Sequence, residues 1–158
     1  MQLEELNIAL FDGLDASERE SVFQLATTGA YQDGTVIIQE GDPGRGFFLL
    51  LEGTVSIDKQ TIEGTPETLA ILEPGECFGE MALVDHKPRS ATCTAVGPVE
   101  VLLFEQRALD QFFLESPAIH LKIVENLVQI TSGPDFLTRP SFRLRTTVLL
   151  RSTHRSGF

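Results

Sequence analysis

The sequence predicts a mainly β domain of the α+β class, with helices at both ends and a closed or double-sheet β structure between them. Three observations carry that prediction. From Tyr31 to Phe104, short apolar or alternating runs are separated by glycine and proline turns. Outside that stretch, apolar residues recur at helical rather than strand spacing. The chain has 158 residues, 42% of them hydrophobic and 22% charged, which is the length and composition of one domain able to bury a core.

The N-terminal helix starts at a capping box. Asp15-Ala16-Ser17-Glu18 places a carboxylate before the first turn and a glutamate three residues on. Val22, Leu25 and Ala26 follow at helical spacing with Phe23 beside them, and Thr27-Thr28-Gly29 is expected to close the helix.

Strands are expected at Thr35–Gln39 and Gly46–Glu52, then, after a tight turn at Gly53, at Thr54–Asp58. In that last strand Val55 and Ile57 face inward, alternating with Thr54, Ser56 and Asp58. A polar hairpin loop over 59–67 leads to Leu69–Leu72, which ends at Glu73-Pro74-Gly75. Ala91–Val96 and Val99–Phe104 are separated by Gly97-Pro98. Helix returns with Ala108, Leu109, Phe112 and Phe113 on one face. Ser116-Pro117 then restarts it, serine as N-cap and proline at the first position, with the stripe Ile119, Ile123, Leu127 and Ile130. Gly133-Pro134 is expected to end it.

Composition narrows the function classes. The net charge of -11 argues against a nucleic-acid surface over most of the chain. Charge is unevenly spread. All 23 acidic residues lie at or before Asp135, whereas the remaining stretch holds Arg139, Arg143, Arg145, Arg151 and Arg155 and no acid. Residues 132–158 therefore read as a basic C-terminal tail, with Thr146–Leu150 able to form an edge strand; a partner-binding segment, a non-native extension and a disordered end all fit it. No run is apolar and long enough to span a bilayer, and the first residues are acidic where a signal peptide would be basic, so a soluble cytoplasmic protein is expected. Cys77 and Cys93 are too far apart for a CxxC pair and too few for a zinc site, and buried thiols are favoured over one disulfide. His86, His120 and His154 have no metal-ligand spacing, and no metal is expected. A metal oxygenase on a similar β structure would need clustered histidines, and none lies between Gly29 and Asp85.

The segment with chemistry in it runs from Phe78 to Thr92: Phe-Gly-Glu-Met-Ala-Leu-Val-Asp-His-Lys-Pro-Arg-Ser-Ala-Thr. A glycine enters a short helix, whose first N–H groups suit an anion. Arg89 follows nine positions after Glu80, and its guanidinium is a planar donor fork matched to phosphate oxygens. A carboxylate beside a phosphate would be repelled by it, so Glu80 needs another role, such as accepting from a sugar hydroxyl. On spacing alone, an exposed Glu80–Arg89 ion pair explains the two residues equally well.

This stretch closely resembles the phosphate-binding cassette of the cyclic-nucleotide-binding domain family, which includes catabolite activator protein, kinase regulatory subunits and nucleotide-gated channels. The FGE-x-AL start, the step to Pro88-Arg89 and the following Ser90-Ala91-Thr92 carry the likeness. Gly34, Gly41 and Gly53 stand at expected turns, and Leu69–Glu76 resembles the approach to the cassette. The resemblance covers about residues 8–131 and implies an eight-stranded double-sheet β-roll, jelly-roll-like, flanked by N- and C-terminal helices, in a binding domain over 1–131.

It also implies a site. Arg89 would hold the exocyclic phosphate oxygens, helped by the N–H groups of Ala82 and Ser90, and Glu80 would accept from the ribose 2′-hydroxyl. Gly79 would let the backbone approach the sugar. Met81 and Leu83 would belong to the short helix and pack inward, Leu69 and Leu72 would floor the base pocket, and Pro88 would stiffen the chain before Arg89. Ser90 could bond the phosphate or the amino group of a syn guanine, which places cAMP ahead with cGMP next. The implied function is a regulatory sensor, not an enzyme, that signals through its C-terminal helices, with an unidentified protein effector and a homodimer in reach. The alternative is a related interaction module that binds cGMP or no nucleotide. The 27 residues after Thr131 contain no pair of amphipathic helices, so direct DNA reading is not expected.

Overall fold

Helix α1 (Ala16–Phe23) begins at the expected capping box: Asp15 Oδ1 accepts from the Glu18 N–H at 2.8 Å, and Glu18 Oε1 accepts from the Asp15 N–H at 3.1 Å. In the computed structural model, which describes Leu3, residues 6–84 and residues 87–132, this helix follows a short 3-10 turn at Ala9–Phe11. The helix stops at Phe23. Thr27-Thr28-Gly29 does not cap it but opens strand β1 (Thr27–Tyr31), paired antiparallel with a distant strand from Thr27↔Leu103 to Tyr31↔Val99. A β-branched pair that weakens a helix is at home in a ladder once a partner strand is present.

The remaining strands are β2 (Val36–Ile38), β3 (Gly46–Gln60), β4 (Pro66–Leu72), β5 (Cys77–Phe78) and β6 (Thr92–Glu105). They form one antiparallel sheet in the order β1-β6-β3-β4, with β2 added to β6 and β5 added to β3. Among the described residues six strands stand where eight were expected, because two pairs are continuous. Gly53 and Gly97-Pro98 do not turn the chain back; they sit inside β3 and β6, where the register shifts on either side of Glu52. Gly53 has φ +93°, and a Cβ there would stand 2.3 Å from the Pro98 carbonyl oxygen. Such irregularities bend a strand and raise its twist, which lets long strands curl into a roll.

The run Phe47–Leu51 is apolar throughout because β3 separates two cores. The pleat sends Phe47 and Leu49 to a cluster with the helices, including Phe11, Val22, Phe104, Leu109, Phe113 and Ile123. It sends Phe48 and Leu50 to the interior of the roll with Ile38, Val55, Leu72, Phe78, Cys93 and Val101. Stacked rings mark each side, Phe47 on Phe104 at 4.6 Å and Phe48 on Phe78 at 5.0 Å.

Helices α2 (Gln106–Glu115) and α3 (Pro117–Ser132) meet at Ser116, as expected, and α3 buries Ile119, Ile123 and Leu127. Two side chains of α3 tie it to the N-terminal segment. Asn126 Nδ2 donates to the carbonyls of Leu10 (2.9 Å) and Asp12 (2.7 Å), and Lys122 Nζ lies 2.9 Å from Glu18 Oε1. No helix among the described residues is long and apolar enough to cross a membrane. The tail expectations for 133–158, Gly133-Pro134 as the helix end included, lie outside the described residues, as do Asp85 and His86.

Candidate functional site

The cassette folds as its residue types require. Gly79 takes the left-handed conformation (φ +73°) that joins β5 to a 3-10 helix over Glu80–Leu83. A side chain at Gly79 would be strained twice, by that φ and by a Cβ 2.6 Å from Arg89 Nη1 and 3.0 Å from Ile38 Cδ1. The N–H of Ala82 reaches back to the Gly79 carbonyl at a long 3.3 Å, and the N–H of Val84 donates to the Met81 carbonyl at 3.1 Å.

Arg89 is held by backbone on both sides. Its N–H donates to the Asp42 carbonyl and its own carbonyl accepts from the Gly41 N–H, each at 2.8 Å, which stitches the cassette to the loop between β2 and β3. The guanidinium donates through Nη1 to the Gly79 carbonyl (2.9 Å) and through Nη2 to the Gly46 carbonyl (2.7 Å). Two of its five N–H groups thus meet neutral acceptors. Burial lowers its pKa, while the negative charge of Glu80 opposes that fall. A guanidinium this basic stays charged throughout the physiological range.

These residues surround a cavity of about 630 Å³. Gly79, Glu80, Met81, Ala82, Arg89 and Ser90 all line it, together with Leu72 on the opposite wall. Two expectations are corrected. Met81 does not pack inward; it is 45% exposed at the cavity rim, while Ala82 is buried and Leu83 packs against the helical core. A one-turn helix has a single inward side, and Ala82 and Leu83 take it. Leu69 is not in the lining: Ala70 stands there with Leu72, and Leu69 is the extra residue where the register of β4 on β3 shifts, Ile57 pairing with Ala70 and Asp58 with Thr68.

Sequence reasoning missed several lining residues. Ile38 and Ile57 come from β2 and β3, the N-terminal segment supplies Asn7–Leu10, and Ile130 reaches in from α3. No local pattern marks these positions, since their approach depends on the closure of the roll. Cys77 and Cys93 also line the cavity as free thiols. Burial, then the charge of Glu80, pushes Cys77 well up and Cys93 up to about 12. Both thiols are therefore protonated at neutral pH and form a neutral, soft wall. The cavity thus joins an apolar wall to a rim carrying the cations Lys87 and Arg89, the anions Glu76 and Glu80, and backbone N–H groups, which suits a small ligand with a flat apolar part and a charged end.

Residues 29–116 match a family model described as the cyclic nucleotide-binding domain. The chain is 36% identical over 93 residues to a cAMP-dependent protein kinase regulatory subunit of Dictyostelium discoideum, an alignment over 57% of this chain and 28% of that protein. It therefore spans well under half the length of this curated relative. Among solved structures, the N-terminal domain of a transcriptional regulator from Streptomyces coelicolor A3(2) superposes with TM-score 0.71 at 26% identity, covering 88% of this chain and 90% of that one. The regulatory domain of Toxoplasma gondii PKA, crystallised with cAMP, superposes with TM-score 0.64 at 27% identity, covering 75% of this chain and 44% of that one.

Proposed function

The chain belongs to the cyclic nucleotide-binding domain family, and from that premise we propose that it is a cytoplasmic regulatory sensor that binds cAMP and catalyses no reaction. The observation that carries this reading is the convergence of Gly79, Glu80, Ala82, Arg89 and Ser90 on one cavity whose far wall is apolar. The cyclic phosphate takes the Arg89 guanidinium, which exchanges neutral carbonyl acceptors for an anion. The N–H groups of Ala82 and Ser90 assist it, and Glu80 accepts from the 2′-hydroxyl. Ile57, Ala70 and Leu72 provide apolar surface for the purine. Relatives named or crystallised for cAMP support that ligand over cGMP.

Output follows the same logic. A ligand shifts a conformational equilibrium only through different affinities for two states. Leu83 joins the cassette helix to the core containing Phe112 and Phe113, and Phe113 stacks on His120 at 4.3 Å across the Ser116 break. Movement of the cassette therefore reaches the joint between α2 and α3, where Pro117 removes a backbone donor and no continuous ladder resists reorientation. An effector reads that movement. The reading is tested by calorimetric titration of the purified chain with cAMP, cGMP and 5′-AMP. Saturable one-site binding of cAMP, with cGMP weaker and 5′-AMP weaker still, is expected; no heat with either cyclic nucleotide overturns it.

A further inference from the structure

Asn7, Ile8, Ala9 and Leu10 lie outside the roll, yet they line the cavity together with Ile130. The position of this segment along the cavity follows from β3. The Arg89 guanidinium sits on the Gly46 carbonyl at the start of that strand. At the other end the Gly75 N–H donates to the Leu50 carbonyl at 2.8 Å, and the Asn7 carbonyl oxygen lies 3.5 Å from where a Gly75 Cβ would stand. Gly46 to Leu50 pairs with β6 in unbroken register, so the two ends are about 13 Å apart along the strand. A nucleotide anchored by its phosphate on Arg89, with the base extended away from the phosphate, brings its base edge to the Asn7 end.

We propose that Asn7 reads the base edge and that the N-terminal turn, held to α3 by Asn126, forms one wall of the base subsite. This rests on the reading that the cavity takes a cyclic nucleotide with its phosphate on Arg89. A carboxamide offers one acceptor and two donors, and the adenine edge offers the 6-amino donor beside the N1 acceptor, so the two pair through two hydrogen bonds. Glu76, a polar side chain beside Gly75, already accepts from the Glu73 N–H at 2.8 Å. Ile8 and Leu10 are buried behind Asn7 and fix the segment from within. Asn126 is a positioning residue: its two bonds to the Leu10 and Asp12 carbonyls set where the turn, and therefore Asn7, stands.

The test is calorimetry on the full chain with cAMP and cGMP, for the parent, Asn7→Leu, Asn7→Asp, Asn126→Asp and the Asn7→Leu/Asn126→Asp double variant. Asn7→Leu should weaken cAMP by about five- to 150-fold, the range for net loss of two neutral hydrogen bonds. Asn7→Asp only accepts, and guanine presents two adjacent donors, so the cAMP-to-cGMP preference should move about tenfold toward cGMP. Asn126→Asp cannot donate to either carbonyl; it should narrow the same preference in the parent and add nothing once Asn7 is leucine. Parent binding with an unchanged preference in both Asn7 variants overturns the role of Asn7 and leaves the nucleotide reading standing. Additive losses in the double variant overturn the role of Asn126. A parent that binds neither nucleotide overturns both readings together.

Discussion

Arg89→Ala separates the two tasks assigned to the guanidinium. It donates to the Gly79 carbonyl at 2.9 Å and to the Gly46 carbonyl at 2.7 Å. A hydrogen bond from a charged donor contributes about 1.5–3 kcal/mol when well buried. The side chain is only half-buried, so water replaces part of each bond, and about 1–3 kcal/mol for the pair is the expected cost. For a domain of this length that corresponds to a fall in Tm of roughly 3–10 °C. Binding loses the charge-assisted phosphate contact as well, about 1.5–3 kcal/mol, or about 10- to 150-fold in Kd. Arg89→Lys keeps the charge but cannot span both carbonyls, so it should recover part of the affinity and little of the Tm. Calorimetry and thermal melts on the three proteins measure both effects. An alanine variant that melts lower yet binds cAMP like the parent would refute the phosphate role and leave a structural one; unchanged melting would refute the tether.

Three further outcomes follow from the same geometry. Glu80→Gln should weaken cAMP strongly but 2′-deoxy-cAMP hardly at all, and additive losses in the four-way comparison would remove the sugar contact. Cys93 is pushed up to about 12 from the usual 9.0, so its thiol is protonated in folded and unfolded chains alike below about pH 9. Above that the unfolded chain ionises first, and stability should fall by about 1.4 kcal/mol per pH unit for this thiol until about pH 12. Denaturant titrations of Cys93→Ala over pH 8–11 should show a shallower decline than the parent, and parallel declines would contradict the burial of that thiol. Amide exchange should slow in the cassette on cAMP binding and change in residues 112–130. Protection confined to the cassette would mean that nucleotide is bound without being transmitted.

Much of this molecule could be read from local chemistry alone. The Asp15–Glu18 capping box, the Ser116-Pro117 restart and the Ile119, Ile123, Leu127 stripe depend on groups within a few residues of one another, and all stand where the sequence puts them. The cassette is local too. The spacing from Gly79 to Ser90 is preserved as one rim because a positive-φ glycine and a short helix are decided by the residues that form them. What the sequence left open depends on long-range closure. Gly53 reads as a turn, yet becomes a bend inside β3 only because β6 runs beside it and the Pro98 carbonyl closes on its Cα. Thr27–Tyr31 is a strand only because β6 offers an edge. Asn7 and Ile130 stand at opposite ends of the described chain and reach one cavity only after α3 has been tied to the N-terminal turn. Side-chain type sets what each segment can do alone, but which segments become neighbours is decided by the joint burial of two cores, and no short window of sequence contains that information.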